Sequence, residues 1–238
     1  MPRLRGLLFD KDGTLIDFHA AWAAFLQDVT REVAGGAGPL CALLLEIGGY
    51  DAARGRFAGD SLMAAGSTAD LAEAWLPHLE GWSFDALVAL IDRRAEAEVA
   101  RAAPALLPLA PLFERLRARG LALGIATSDS EAGARAFLER EGAAHLVDFV
   151  SGYDSGNGSK AGPGMALAFA EASGHPPESL GVVGDNVTDL LMGRSAGYGL
   201  RLGVLTGTGS AASLAVFARA VLPSIAELEA WLDENAAG

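Results

Sequence analysis

Apolar positions change their period twice along this chain. Leu7, Leu8 and Phe9 make a short unbroken apolar run that stops at Asp10, as a strand buried on both faces does before it turns. From about Phe18 to Ala103 apolar residues recur every three or four positions instead. Trp22, Phe25, Leu26 and Val29 do so, then Leu71, Trp75 and Leu79, then Phe84, Leu87, Val88 and Ile91, which predicts helix upon helix. Glycines at 35–36, 48–49, 55, 59 and 66 punctuate that block. Past Pro104 and Pro108 the two periods alternate. The pattern there predicts helices over 109–119, 130–141, 162–173, 187–196, 210–219 and 224–235, and strands over 121–126, 146–150, 180–183 and 198–205.

Strands alternating with helices build a parallel sheet covered on both faces. The fold class expected is therefore α/β, a doubly wound parallel sheet, with a helical block inserted after the first strand. Residues 1–17 and 104–238 form the α/β core in this reading, and residues 18–103 the helical domain.

Composition narrows the partners. Hydrophobic residues make up 51% of the chain, enough to bury a sizeable core and too many for global disorder. The formal net charge of -12 argues against nucleic acid, whose affinity rests on clustered Lys and Arg, and against an anionic membrane surface. Cys41 is the single cysteine, so no disulfide or cysteine-based zinc site forms within one chain. The first residues carry no apolar signal core, and the uncharged stretch 202–218 is broken by Gly203, Gly207 and Gly209. A soluble cytoplasmic protein is expected.

Reactive residue types gather at the carboxyl ends of the expected strands, where ligands bind in open α/β sheets. Asp10 and Asp12 follow the first strand, and alternation along an extended chain sends both side chains one way and Lys11 the other. Thr127 closes a second strand and Asp185 follows a third. Lys160 lies beyond the strand near Phe149-Val150, at the start of a helix. Asp189 stands one turn after Asp185, on the same side. Clustered carboxylates without His or Cys suit a hard divalent cation such as Mg2+, and an ammonium with a hydroxyl opposite suits an oxyanion. Phosphoryl transfer fits, because its catalysis is mostly positioning and charge neutralisation.

Lysine is scarce: Lys11 and Lys160 are the only two among 18 basic residues, so Lys160 is poorly explained as surface decoration. Lys11 has no functional account and is expected partly exposed behind the strand. The glycine-rich 203–210 segment lacks the lysine and spacing of a phosphate-binding P-loop and is expected to be a turn leading to a helix at Ser210. His19, His78, His145 and His175 are scattered and form no ligand pair.

Taken in order, the motifs resemble those of the haloacid dehalogenase superfamily. They are Asp10-Lys11-Asp12-Gly13-Thr14, Thr127 after an apolar strand, Lys160 with Pro163 behind it, and Gly184-Asp185-Asn186-Val187-Thr188-Asp189. The helical block resembles that family's C1-type cap. Gly193-Arg194-Ser195-Ala196-Gly197 resembles a stretch of its phosphoglycolate phosphatase and β-phosphoglucomutase-like branch.

The resemblance implies a Rossmann-like core and a Mg2+-dependent phosphatase that hydrolyses a small phosphomonoester metabolite, phosphoglycolate-like, through an aspartyl-phosphate. It implies Asp10 as nucleophile and Asp12 as general acid and base. Mg2+ would be held by Asp10, the Asp12 carbonyl, Asp185 and Asp189. Thr127, the Ser128 backbone N–H and Lys160 would bind the transferring phosphoryl oxygens. In the cap, Arg54 and Arg56, or Ser67-Thr68, are candidates to hold a substrate carboxylate or hydroxyl, with the cap closing to exclude bulk water. Two rivals stay open: a β-phosphoglucomutase-like phosphomutase and a non-catalytic regulatory protein that binds a phosphorylated ligand. A dehalogenase has no need of Asp12, and a phosphonatase needs a cap lysine that is not there. A receiver domain normally accepts phosphate after a later strand and carries no helical insert after its first.

Overall fold

Leu7, Leu8 and Phe9 are wholly buried because their strand runs through the middle of a parallel sheet. The coordinates are a computed structural model that describes residues 3–58, 61–65, 67–101, 105–160 and 162–235. In chain order its elements are β1 (Gly6–Phe9), α1 (Phe18–Val33), α2 (Gly38–Ile47), β2 (Tyr50–Asp51), β3 (Arg56–Phe57), α3 (Leu62–Ala65), α4 (Thr68–Trp75) and α5 (Phe84–Arg101). There follow α6 (Leu109–Ala118), β4 (Ala122–Ala126), α7 (Glu131–Arg140), β5 (Phe149–Ser151), α8 (Gly164–Ser173), β6 (Leu180–Gly184), α9 (Val187–Ser195), β7 (Leu200–Val204), α10 (Ala211–Ala215), β8 (Ala220–Leu222) and α11 (Leu228–Asn235). Contacts divide the chain into two units, Met1–Asp17 with Pro104–Gly238, and Phe18–Ala103.

In the first unit six strands lie in the order β5-β4-β1-β6-β7-β8, and every pair is parallel. Leu8 stands opposite Gly124 on one side and Val182 on the other. A parallel sheet is buried on both faces, which is why its strands read as apolar runs rather than alternations. Phe113 of α6 packs on Phe9, ring centroids 5.5 Å apart. Another core cluster joins Leu8 and Val182 to Phe169 of α8 and to Leu190 and Met192 of α9. The buried Tyr198 hydroxyl donates to the Ala166 carbonyl at 2.6 Å.

The second unit has its own core, in which Phe25, Leu26, Leu44, Leu71, Trp75 and Leu87 are buried together. The Trp75 indole N–H donates to the Leu44 carbonyl at 2.9 Å, so the ring is buried without stranding its polar atom. This unit is not helical throughout. Strands β2 and β3 pair antiparallel, Tyr50 opposite Phe57, and the Phe57 N–H donates to His19 Nδ1 at 3.1 Å.

Three predicted elements shift. The strand expected over 146–150 begins only at Phe149, because Ala144–Leu146 form a 3-10 turn whose carbonyl at Ala144 takes the Val147 N–H. The helix expected over 210–219 stops at Ala215, and a three-residue edge strand follows it. The helix expected from 162 starts at Gly164, which leaves Lys160 in the preceding loop. Among the described residues no helix is long and apolar enough to cross a membrane.

Candidate active site

Asp10 is the first residue past β1. Its N–H still donates to the Val183 carbonyl of β6 at 2.9 Å, so the end of β1 stays tied to the strand that Asp185 follows. Asp189 lies in the first turn of α9, where one of its oxygens completes a capping box by accepting the Asn186 N–H at 3.0 Å. The other oxygen pairs with Lys160 at 2.8 Å. One carboxylate oxygen from each of Asp10, Asp185 and Asp189 lies within 4.8 Å of the other two, and all three side chains are buried. The Lys160 ammonium also bonds Asp10 Oδ1.

So much negative charge out of water perturbs Asp10, Asp185 and Lys160. Burial pushes the Asp10 carboxyl well above its ordinary value. Lys160 pulls it back, while Asp189, Asp185 and Asp12 add to the rise. Burial, reinforced by Asp189, pushes Asp185 up to about 6. For Lys160 burial alone would lower the pKa, but Asp10 and Asp189 outweigh it and hold the ammonium above its ordinary value. Asp10 Oδ2 is buried and receives no hydrogen bond among the described residues. Three converging carboxylates, all oxygen donors and one of them short of a partner, fit a hard divalent cation such as Mg2+.

Asp185 is gripped from two sides. Thr208 donates its N–H to Oδ2 at 2.8 Å and the Thr14 hydroxyl lies 3.4 Å from Oδ1. The Gly209 N–H donates to the Asp185 carbonyl at 3.0 Å, and the Thr206 hydroxyl to the Gly13 carbonyl at 2.6 Å. Glycine is required at two of these contacts. Gly13 has φ +95, and a Cβ there would meet Asp185 Cγ at 2.6 Å; one on Gly207 would meet Asp185 Oδ2 at 2.0 Å. The 203–210 segment is therefore more than the plain turn expected of it, although Ser210 does cap the helix that follows. Thr14 closes the first motif, whereas the only sequence signal for Thr206 and Thr208 is the density of glycine and threonine between β7 and α10.

Two expectations about the first motif are overturned. Lys11 is not partly exposed: its side chain is 2% exposed, with the ammonium 2.8 Å from Asp12 and 3.2 Å from Asp129. Nor does Lys11 point away from Asp12, since its ammonium reaches both Asp12 oxygens. The strand ends at Phe9, and the N–H groups of Leu15 and Ile16 converge on the Lys11 carbonyl at 2.9 and 3.1 Å. The chain is already turning, so period-two alternation no longer applies. Burial would lower the Lys11 pKa, yet Asp12 and Asp129 outweigh it and raise it.

The remaining candidates are placed as follows. Thr127 is wholly buried at the end of β4, its N–H donating to Ser151 at 2.9 Å and its hydroxyl oxygen accepting the Asp129 N–H at 3.1 Å. Ser128 beside it is exposed. Lys160 is in the loop before α8 rather than on the helix. In the second unit Arg54 is exposed and pairs with Asp51 at 2.8 Å, Arg56 is exposed on β3, and Ser67 is spent capping α4.

No curated protein matches the chain. Among solved structures, a haloacid dehalogenase family hydrolase from Deinococcus radiodurans R1, with bound phosphate and sodium, is 25% identical with a TM-score of 0.72, over 98% of this chain and 97% of that one. A predicted phosphoglycolate phosphatase from Haemophilus somnus is 18% identical with a TM-score of 0.73, over 97% and 99%. A provisionally assigned beta-phosphoglucomutase from Thermotoga maritima is 18% identical with a TM-score of 0.72, also over 97% and 99%. The family model described as haloacid dehalogenase-like hydrolase matches residues 4–197. That span takes in β1, the whole second unit and every carboxylate and lysine of the site, and the chain belongs to the haloacid dehalogenase-like hydrolases.

Proposed function

We propose that the chain is a Mg2+-dependent phosphatase of small phosphomonoester metabolites that works through an aspartyl-phosphate on Asp10. The observation that carries the reading is the buried Asp10 carboxylate, bonded to Lys160 and set beside Asp185 and Asp189. The bound phosphate of the Deinococcus radiodurans relative supports an oxyanion ligand. The net charge of -12 favours a metabolite over a nucleic acid, and a lone cysteine is in keeping with a reducing cytoplasm.

In this mechanism an Asp10 oxygen attacks phosphorus, forming the new P–O bond as the bond to the substrate oxygen breaks. Asp12 gives its proton to the departing alkoxide. It then takes a proton from the water that attacks the acyl phosphate, releasing inorganic phosphate and free Asp10. Lys160, with the Thr127 hydroxyl and the Ser128 N–H, binds the transferring phosphoryl oxygens and limits the repulsion between their charge and Asp10. Asp10, Asp185, Asp189 and the Asp12 carbonyl would hold Mg2+, which supplies charge neutralisation at the transferring group.

Hydrolysis of an aryl phosphate with and without Mg2+ tests the reading. The expected result is metal-dependent release of phosphate, lost in a folded Asp10→Asn variant. A binding protein gives no turnover in any condition. A phosphomutase is recognised by conversion of a hexose 1-phosphate into its 6-phosphate in place of free phosphate.

A further inference from the structure

The chain's two lysines are used alike. Lys160 is buried between Asp10 and Asp189, and Lys11 between Asp12 and Asp129. The Lys11 ammonium lies 2.8 Å from both Asp12 oxygens, 3.2 Å from Asp129 Oδ2 and 6.0 Å from the centre of the Phe137 ring. Asp129 is fixed in turn. Its Oδ1 accepts the Ser130 N–H at 2.7 Å, its N–H donates to Thr127 Oγ1 at 3.1 Å, and its carbonyl accepts the Tyr153 N–H at 3.0 Å. Burying an ammonium carries a large desolvation cost, and an apolar side chain would fill the same space without it. A packing role alone leaves the choice of lysine unexplained.

We propose that Lys11 is a positioning residue for Asp12. It clamps the carboxylate at both oxygens and anchors it, through Asp129, to the loop that carries Thr127 and Ser128. The inference rests on the phosphatase reading above. The step it serves is the second one, in which water forms a bond to the phosphorus of the aspartyl-phosphate, its proton passes to the Asp12 carboxylate, and the bond from phosphorus to the Asp10 oxygen breaks. A carboxylate that must accept that proton needs a fixed plane and a free lone pair directed at the water. A grip by a single ammonium supplies the first without consuming the second.

The test is stopped-flow hydrolysis of p-nitrophenyl phosphate with Mg2+, comparing wild type, Lys11→Met and Asp129→Asn. Nitrophenolate leaves without a proton, so its release reports formation of the phosphoenzyme, and the steady state reports hydrolysis of it. In Lys11→Met we expect a burst of nitrophenolate approaching one per enzyme. Its kcat falls about 10–100-fold, less than the roughly 100–10,000-fold of a lost general base because Asp12 itself remains, while kcat/KM changes by less than about threefold, so KM falls with kcat. Parallel losses of kcat and kcat/KM without a burst, or unchanged kinetics, overturn the assignment. If Lys11→Met does not fold, Asp129→Asn decides. A smaller burst with kcat down about 3–10-fold supports the clamp, and unchanged kinetics overturn it. An inactive wild type overturns the phosphatase reading and this inference together, whereas an active wild type with an unaffected variant overturns the role of Lys11 alone.

Discussion

Thr208 holds Asp185 from the loop after β7: its N–H donates to Asp185 Oδ2 at 2.8 Å, and Gly207 beside it leaves no space for a Cβ. On the proposed reading Asp185 holds Mg2+, and groups that orient a metal-binding carboxylate matter nearly as much as the carboxylate itself. Gly207→Ala forces Asp185 or the loop to move, so Mg2+ affinity should fall about 10–100-fold. Titration of activity and of calorimetric binding with Mg2+ checks this, and an unchanged Kd would contradict it.

The metal-free protein should be more stable in mild acid than at neutral pH. Asp185 is raised from 3.8 to about 6 and Asp10 is raised as well, so both bind a proton more tightly folded than unfolded. The contribution of Asp185 is fully present below about pH 4 and is lost as pH rises through about 6, and that of Asp10 is likewise lost as pH rises. For Asp185 alone this is on the order of 2–3 kcal/mol. Tm in EDTA should therefore be higher near pH 5 than near pH 7.5, and the gain from added Mg2+ should be larger at the higher pH. A Tm in EDTA that rises across this interval would be the opposite result.

Lys160→Met removes the ammonium shared by Asp10 and Asp189. Breaking a buried pair costs about 3–5 kcal/mol, which urea unfolding at neutral pH in EDTA should register. Mild acid should restore part of it, because protonation relieves the carboxylates left behind. Turnover should fall by at least ~100-fold even with saturating Mg2+, the scale of losing one preorganised donor to the transferring group.

Phe113→Ala tests the core under the site. The ring is wholly buried against Phe9, the residue before Asp10. Truncation should cost about 3–5 kcal/mol, a large share of the 5–15 kcal/mol typical of a domain. Thermal and urea unfolding would register it, and a loss below about 1 kcal/mol would mean that the cavity collapses without strain.

Asp10, Asp185, Asp189 and Lys160 were legible in the sequence because each follows an apolar strand at a distance that chain geometry constrains. The parallel sheet was legible for the same reason, since β1, β4 and β6 are uncharged apolar runs and β7 is one interrupted only by Arg201. What escaped depends on contacts between distant positions. Lys11 meets Asp129 across 118 residues, and nothing in the local pattern of either announces the other. Thr208 meets Asp185 through a backbone N–H, which any residue but proline supplies, so its identity carries little information. The edge strand at Ala220–Leu222 is too short for periodicity to separate it from the end of the helix before it.

The placement of Lys11 and Lys160 also changes how the folded molecule meets amine-directed reagents. Both side chains are shielded, 2% and 10% exposed, and the sequence has no third lysine. Acylating labels and lysine-specific crosslinkers should leave the native chain's ε-amines almost untouched and modify both once it unfolds. Conjugation at these positions thus reads out denaturation, and immobilisation through lysine is a poor way to tether an active sample.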